Sequence, residues 1–387
     1  MVRSGFWYST VFRLWGAVLV CATMASFPVR ALDTAAKQAL VLDHETGAVL
    51  LGKNADELMH PSSMSKLMTI YMVFDRLHEG NLSLDDTFAV SERAWRTAGS
   101  KMFVAINSRV TVSDLLRGII VQSGNDACVV MAENLSGTEE AFAEAMTAKA
   151  HQIGLKRSTF RNASGWPAPD HLMTARDLAV LAGHLIADFP EYYPLFREMH
   201  FTYNGIRQGN RNPLLHKPEL GADGLKTGHT EEGGYGLVAS AVREGRRLVM
   251  VLNGLSSMKE RAQESERLID WAFREFTNIT LFGPGAEVTS ADVWLGSQAV
   301  VPLVIERGIT VTLPRKVTKD IKVAAVFDSP IPAPIRKGDR LASLVITVPG
   351  IDPQEIPLLA GADVGRLGFF GRLLAAAGYL LWGGDGS

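Results

Sequence analysis

Three short motifs in a fixed order constrain this chain more than anything else in it: Ser63-Met64-Ser65-Lys66, Ser123-Gly124-Asn125 and Lys226-Thr227-Gly228. A chemistry that draws on all three needs a fold that brings distant segments to one site. A Ser-x-x-Lys alone arises by chance roughly once or twice in a chain of this length. The chain carries such a decoy, Ser256-Ser257-Met258-Lys259. Only Ser63 is followed by a Ser-x-Asn and then by a Lys-Thr-Gly, so the decoy is set aside.

A serine hydroxyl is a poor nucleophile until a base takes its proton. At the start of a helix, Ser63 and Lys66 lie one turn apart on one face, with the amine in reach of the hydroxyl. The N-terminus of that helix adds N–H groups suited to an oxyanion. Lys66 must be neutral to act as base, which burial and a second cation both favour, and Lys226 is the candidate for that cation. Ser123 offers a hydroxyl for proton relay, Asn125 an amide to orient Lys66 or the substrate, and Gly124 a clear approach. If Lys226-Thr227-Gly228 lies on an edge strand, it can pair with an extended peptide, Gly228 leaving space and Lys226 with Thr227 presenting donors to a carboxylate.

The surrounding pattern predicts an α+β fold. Leu40 to Leu51 alternates around Glu45-Thr46-Gly47 and reads as a hairpin. Pro61 opens a helix from Ser62 to Leu77, and helical patterns follow over Val112–Val121, Asn125–Leu135, Thr138–His151 and Thr174–Ala187. Strands are expected over Gly233–Val242 and Arg247–Leu255, with a closing helix from Lys259 to Phe276. A helical cluster on an antiparallel sheet is the arrangement this order implies. Beyond about Gly283, short alternating runs at Ala299–Ile305, Ile309–Leu313, Ile321–Phe327 and Leu341–Val348, punctuated by prolines, predict a small all-β domain with no catalytic constellation. The expected organisation is an export signal over 1–31, a catalytic domain over 32–280, a β-rich domain over 281–360 and a tail over 361–387.

The ends point to an envelope setting. Arg3 and Arg13 precede an apolar stretch from Leu14 to Phe27, and Val29-Arg30-Ala31 has the small-x-small form of a cleavage site. The stretch is shorter than the roughly 20 residues that a membrane span needs. Loss of Cys21 with that signal leaves Cys128 alone, expected as a buried helix residue and excluding an internal disulfide. The tail, read as a helix, has a broad apolar face of Leu367, Phe370, Leu374 and Leu381 with arginines and Trp382 among them. It fits either an interfacial helix or a core helix of the last domain. A net charge of −2 without a long Lys/Arg run excludes a nucleic-acid partner. His44-Glu45 and His78-Glu79 lack the second histidine of a zinc peptidase helix, and no Gly-x-Ser-x-Gly elbow exists. Neither a metal nor an organic cofactor is expected.

The wording around the motifs resembles one family. Pro61-Ser62-Ser63-Met64-Ser65-Lys66-Leu67-Met68-Thr69 is similar to the nucleophile segment of the low-molecular-weight penicillin-binding proteins, the serine D-alanyl-D-alanine carboxypeptidases. Gly224-Leu225-Lys226-Thr227-Gly228-His229-Thr230 resembles their third motif. Ser91-Glu92-Arg93-Ala94-Trp95, Gly99-Ser100-Lys101-Met102-Phe103 and Asn210-Arg211-Asn212 add to the likeness, which extends from about Ala35 to the C-terminus. The resemblance implies a serine β-lactamase/transpeptidase-like catalytic fold. It implies acylation of Ser63 by peptidoglycan stem peptides and by β-lactams, and an oxyanion hole at the N–H groups of Ser63 and His229. Arg261, on residues alone part of a solvated helix face, would then recognise the terminal carboxylate of the substrate. The tail would anchor the protein to the periplasmic face of the inner membrane. Ser-Gly-Asn in place of Ser-Asp-Asn, and the absence of a glutamate over Asn162–Asp170, argue against a class A β-lactamase. An endopeptidase shares every motif, and an idle wall-binding scaffold or sensor would be expected to have lost Ser63, Lys66 or Lys226.

Overall fold

The computed structural model describes residues 32–318, 320–349 and 351–371. The expected export signal over 1–31 and the tail beyond 371 lie outside the described residues. Helices and strands follow the anticipated order. Strands β1 (Gln38–Asp43) and β2 (Val49–Lys53) form the first hairpin. The nucleophile segment differs from a plain helix: Ser62–Ser65 is a 3-10 turn that feeds α1 (Lys66–His78). A helical region then holds a small hairpin of β3 (Thr87–Ala89) and β4 (Arg109–Thr111) with α2 (Glu92–Arg96), α3 (Val112–Ile120), α4 (Asn125–Ser136), α5 (Glu139–Gln152) and α6 (Ala175–Asp188). Threonine or serine caps open most of these helices. The side chains of Ser91, Thr111, Thr138 and Thr174 accept N–H groups that the first turns would leave unpaired.

After the hairpin of β5 (His200–Tyr203) and β6 (Ile206–Gly209) come β7 (Ala222–Thr230), β8 (Gly234–Arg243), β9 (Arg246–Leu255) and α7 (Met258–Glu275). The main sheet runs β2-β1-β9-β8-β7, all antiparallel, so the strand carrying Lys226-Thr227-Gly228 is at its edge. α1 is the centre of the core. Leu67, Met68, Ile70, Val73 and Phe74 have no exposed surface, which suits a helix apolar on nearly every side.

The β-rich lobe starts earlier than the sequence pattern placed it. β10 (Phe276–Phe282) follows α7 directly and pairs with β13 (Ile309–Pro314). A six-stranded sheet joins β11 (Glu287–Trp294), β12 (Val300–Val304), β14 (Lys322–Val326), β15 (Ile331–Pro332), β16 (Arg340–Val348) and β17 (Ile351–Ala360) in the order β14-β16-β17-β12-β11-β15. The lobe also ends later than Ala360. Val364 is buried in its core and bridges Ile335, and Arg366 donates to the Ala333 carbonyl at 2.9 Å. The start of the expected tail is thus part of the β structure. Among the described residues, no helix is long and apolar enough to cross a membrane.

Candidate active site

The 3-10 turn at Ser62–Ser65 sets the first distance of the site. Three residues per turn eclipse positions i and i+3, so Lys66 stands directly against Ser63. Its Nζ lies 2.9 Å from Ser63 Oγ and 2.7 Å from Asn125 Oδ1, and it also donates to the Ser164 carbonyl. Lys66 is fully buried. Burial lowers its pKa to about 8, with the Arg211 guanidinium adding to the effect. The amine is therefore close to releasing its proton at neutral pH, the condition a lysine base must meet.

Room for this turn is made by glycines around it. A Cβ on Gly165, whose φ is +74°, would fall 2.0 Å from the Ser62 carbonyl oxygen and 2.5 Å from Ser65 Oγ. A Cβ on Gly228 would lie 3.0 Å from the Pro61 carbonyl oxygen and 3.1 Å from Met64 Cγ. The space left by Gly228 is thus taken by the nucleophile turn. Gly124 also differs from expectation. A Cβ there would meet Asp126 Oδ1 at 2.8 Å and the Met102 nitrogen at 3.0 Å, so the glycine admits neighbouring chain and not substrate.

Ser123 has a left-handed φ of +60° and accepts from Lys226 Nζ at 2.9 Å. Lys226 Nζ also reaches the Thr227 carbonyl at 3.2 Å. Lys226 is itself held well below the ordinary lysine range, by burial first and by Lys66 next. Arg211 adds to the lowering of Lys66, and Lys66 and Lys226, both buried, each disfavour a second charge beside them. Asn125 orients Lys66 through Oδ1, while its Nδ2 donates to the Ala98 carbonyl at 2.9 Å.

Thr227 and Gly228 are buried on β7, and His229 is exposed and stacked on Tyr235 with ring centroids 3.9 Å apart. Arg261 leaves the solvated face expected for its run. It is buried, its guanidinium sits 5.9 Å from the Tyr235 centroid, and Nη2 donates to the Arg211 carbonyl at 3.4 Å. Among the described residues its Nε has no partner, and burial lowers its pKa to about 10. A buried guanidinium without a carboxylate is a costly arrangement that an anionic ligand would relieve.

Several residues near the site were given no role in it from the sequence. Arg211 stands between two buried asparagines. Asn210 Nδ2 donates to the Phe196 and Glu198 carbonyls, and Asn212 Nδ2 to the Gly224 carbonyl at 2.8 Å, which explains the Asn-Arg-Asn spelling. Asp126 accepts from the backbone N–H groups of Met102, Phe103 and Val104 and so shapes the cleft rim. His171 is buried beside the nucleophile turn, its pKa lowered to about 4 chiefly by burial. Cys128 is buried as expected, and burial raises its pKa to about 12, which keeps it a thiol. Among the described residues no group of three or more His, Cys, Asp or Glu is placed to hold a metal.

Residues 23–256 match the peptidase S11 family, D-alanyl-D-alanine carboxypeptidase, and residues 276–366 match the C-terminal domain of penicillin-binding protein 5. The chain is 38% identical over 359 residues to the D-alanyl-D-alanine carboxypeptidase DacC of Escherichia coli, covering 91% of this chain and 90% of the relative. It is 36% identical to DacA of Haemophilus influenzae, with 92% of each chain covered. A D-alanyl-D-alanine endopeptidase of Pseudomonas aeruginosa is 33% identical over 219 residues, 53% of this chain and 67% of the relative. The crystal structure of penicillin-binding protein 5 from Haemophilus influenzae superimposes with a TM-score of 0.79 at 36% identity, covering 86% of this chain and 98% of that one. Penicillin-binding protein D2 of Listeria monocytogenes in its ampicillin-bound form gives a TM-score of 0.57 at 29% identity, covering 62% of this chain and 98% of that one.

Proposed function

The chain belongs to the serine D-alanyl-D-alanine carboxypeptidase family of the penicillin-binding proteins, and from that premise we propose how its own residues carry the reaction. Ser63 attacks the carbonyl between the two terminal D-alanines of a peptidoglycan stem. Neutral Lys66 takes the hydroxyl proton across the 2.9 Å contact. The tetrahedral oxyanion lies against the backbone N–H groups of Ser63 and His229. Ser123, held by Lys226, passes a proton to the leaving D-alanine nitrogen. The carboxylate of that D-alanine meets Thr227, Arg211 and Arg261, whose unpartnered Nε favours this role. Water activated by Lys66 then hydrolyses the ester. β-Lactams acylate the same serine.

The single observation that carries this reading is a fully buried lysine, lowered to about 8, in contact with the serine of the first motif. The carboxypeptidase assignment is favoured over an endopeptidase by the likeness to carboxypeptidases through the β-rich lobe, whereas the endopeptidase relative matches about half of the chain. We also place the protein at the periplasmic face of the inner membrane. Phe369 and Phe370, 66% and 79% exposed where the described tail ends, support an anchor there.

The test is release of free D-alanine from diacetyl-Lys-D-Ala-D-Ala by protein lacking residues 1–31 and those beyond 371, with Ser63→Ala as control. Release by the wild type alone is the expected result. Labelling of Ser63 by a fluorescent penicillin without D-alanine release would move the assignment to an endopeptidase or a sensor.

A further inference from the structure

The stretch Asn162–Asp170 carries no glutamate, yet a carboxylate reaches its turn from elsewhere. Glu139, the first residue of α5, is 7% exposed. Its Oε1 accepts the Ala163 N–H at 3.0 Å, and its Oε2 accepts from Arg93 Nη2 of α2 at 2.8 Å. The same backbone is tied on its other side to α1. Thr69 Oγ1 donates to the Ala163 carbonyl at 2.6 Å, and Lys66 Nζ donates to the Ser164 carbonyl.

From within, Asn162 Oδ1 closes the turn by accepting from the N–H groups of Ser164, Gly165 and Trp166. A cavity of about 280 Å³, lined in part by Thr97, Val129, Asn162 and Trp166, borders both Glu139 and Ser164. Packing therefore supports the turn weakly on that side, and the hydrogen bonds hold it. Two residues of backbone connect a buried carboxylate to the amine that faces Ser63.

We propose that Glu139, braced by Arg93, is a positioning residue for Lys66: it fixes the Ser164 carbonyl that orients the amine and brings a buried carboxylate to that side of it. The proposal rests on the reading of Lys66 as the base for Ser63. The charged and titratable groups around Lys66 are Cys128 and Asp126 from α4, Glu139 from α5, Lys226 from β7, Arg211 and His171. Glu139 and Asp126 favour the ammonium, and burial with Arg211 favours the free amine. Of the two carboxylates, Asp126 is engaged with the cleft rim. Glu139 is the one bonded to the turn whose Ser164 carbonyl accepts from Lys66.

The experiment follows the rate of Ser63 acylation by a fluorescent penicillin from pH 5 to 10, for wild type, Glu139→Gln and Glu139→Ala, with a melting curve for each. Glutamine keeps an acceptor for the Ala163 N–H and loses the charge. Its plateau should stay within about twofold while the acid limb moves to lower pH by roughly half a unit. Alanine frees the turn, and its plateau should fall about tenfold in a protein that still melts cooperatively. An alanine variant with the wild-type plateau overturns the proposal, as does a glutamine variant whose limb has not moved, because a mere structural brace would change only the melting temperature. Absence of label in the wild type would instead overturn the reading of Ser63 and Lys66, and this proposal with it.

Discussion

The catalytic lobe and the β-rich lobe are built to different rules. In the first, buried polar side chains crowd the core: Lys66, Asn125, Asp126, Glu139, His171, Lys226 and Arg261 are each less than a tenth exposed. Non-glycine residues with left-handed φ also concentrate there, among them Ser62 and Ser123 at the first two motifs and Phe103, whose N–H donates to Asp126. In the β-rich lobe, among the described residues, the buried polar side chains reduce to Thr312, and Leu295 is the non-glycine residue with positive φ. Its core is aliphatic, from Val301 and Leu303 to Leu344, Ile346 and Leu358. One lobe carries desolvated charge and strained backbone that chemistry requires, and the other carries little of either.

The widest separation between the two should come from replacing Lys66. Lys66→Met keeps the volume and removes the amine, so Ser63 acylation should fall about 10³-fold or more. Melting should change by only a few degrees, because relief from burying a cation offsets the acceptors left on Asn125 and Ser164. Penicillin-labelling kinetics beside calorimetry check both; a large loss of stability would mean that the lysine is a support and not a burden. The converse belongs to the other lobe. Leu344→Ala, at a site with no exposed surface, should cost about 2–5 kcal/mol in the unfolding of that lobe and leave acylation unchanged. Denaturant melts read with a β-lobe probe such as Trp294, beside labelling rates, test this.

His171 sharpens the comparison through pH. Its folded pKa of about 4 lies below the unfolded value near 6.5, since burial disfavours the charged ring. The native state then binds fewer protons, so its stability is full above pH 6.5 and falls as pH drops from 6.5 through 4. The loss is on the order of 3 kcal/mol. His171→Gln should flatten the acid side of the catalytic lobe's stability curve. Urea denaturation at pH 7 and pH 4 decides: an equal loss in both proteins would show that His171 is not the group responsible.

The same contrast explains what could be read from the sequence. The three motifs named Ser63, Lys66, Ser123, Asn125 and Lys226, and the fold sets Lys66 against Ser63 and Asn125, and Lys226 against Ser123. The helices were legible from their caps and apolar periods. What escaped was set by tertiary packing. Arg211 acts on Lys66 only because Asn210 and Asn212 pin the chain, and the Ser164 carbonyl reaches Lys66 only because Gly165 allows the turn against Ser62. Arg261 read as surface because its run is charged, yet its own position faces inward. In the β-rich lobe β17 was missed because Pro353 and Pro357 argue against a strand. They are tolerated because β12 pairs with β17 only at Leu359 and Ala360, beyond both prolines.

Thr312 gives the smallest expected effect and the closest look at the boundary between the lobes. Its Oγ1 is 2.5 Å from Thr46 Oγ1 in the β1–β2 turn and donates to Asn278 Oδ1 at 2.9 Å. The one buried polar side chain among the described residues of the β-rich lobe thus faces the catalytic lobe, where Thr46 in turn bonds Asp43 and Asp43 pairs with Arg246 at 2.8 Å. Thr312→Val preserves the shape and deletes the contact, at a cost of about 1 kcal/mol. Because the contact joins two otherwise separate cores, the cost should appear as a loss of coupling. A single calorimetric transition in the wild type should broaden or split in the variant, with acylation of Ser63 unchanged. If the transition stays single and shifts as a whole, the lobes are joined by the other links across the boundary, from Asn278 to Asp43 and Glu45 and from Arg246 to the Phe276 carbonyl, and not by this contact.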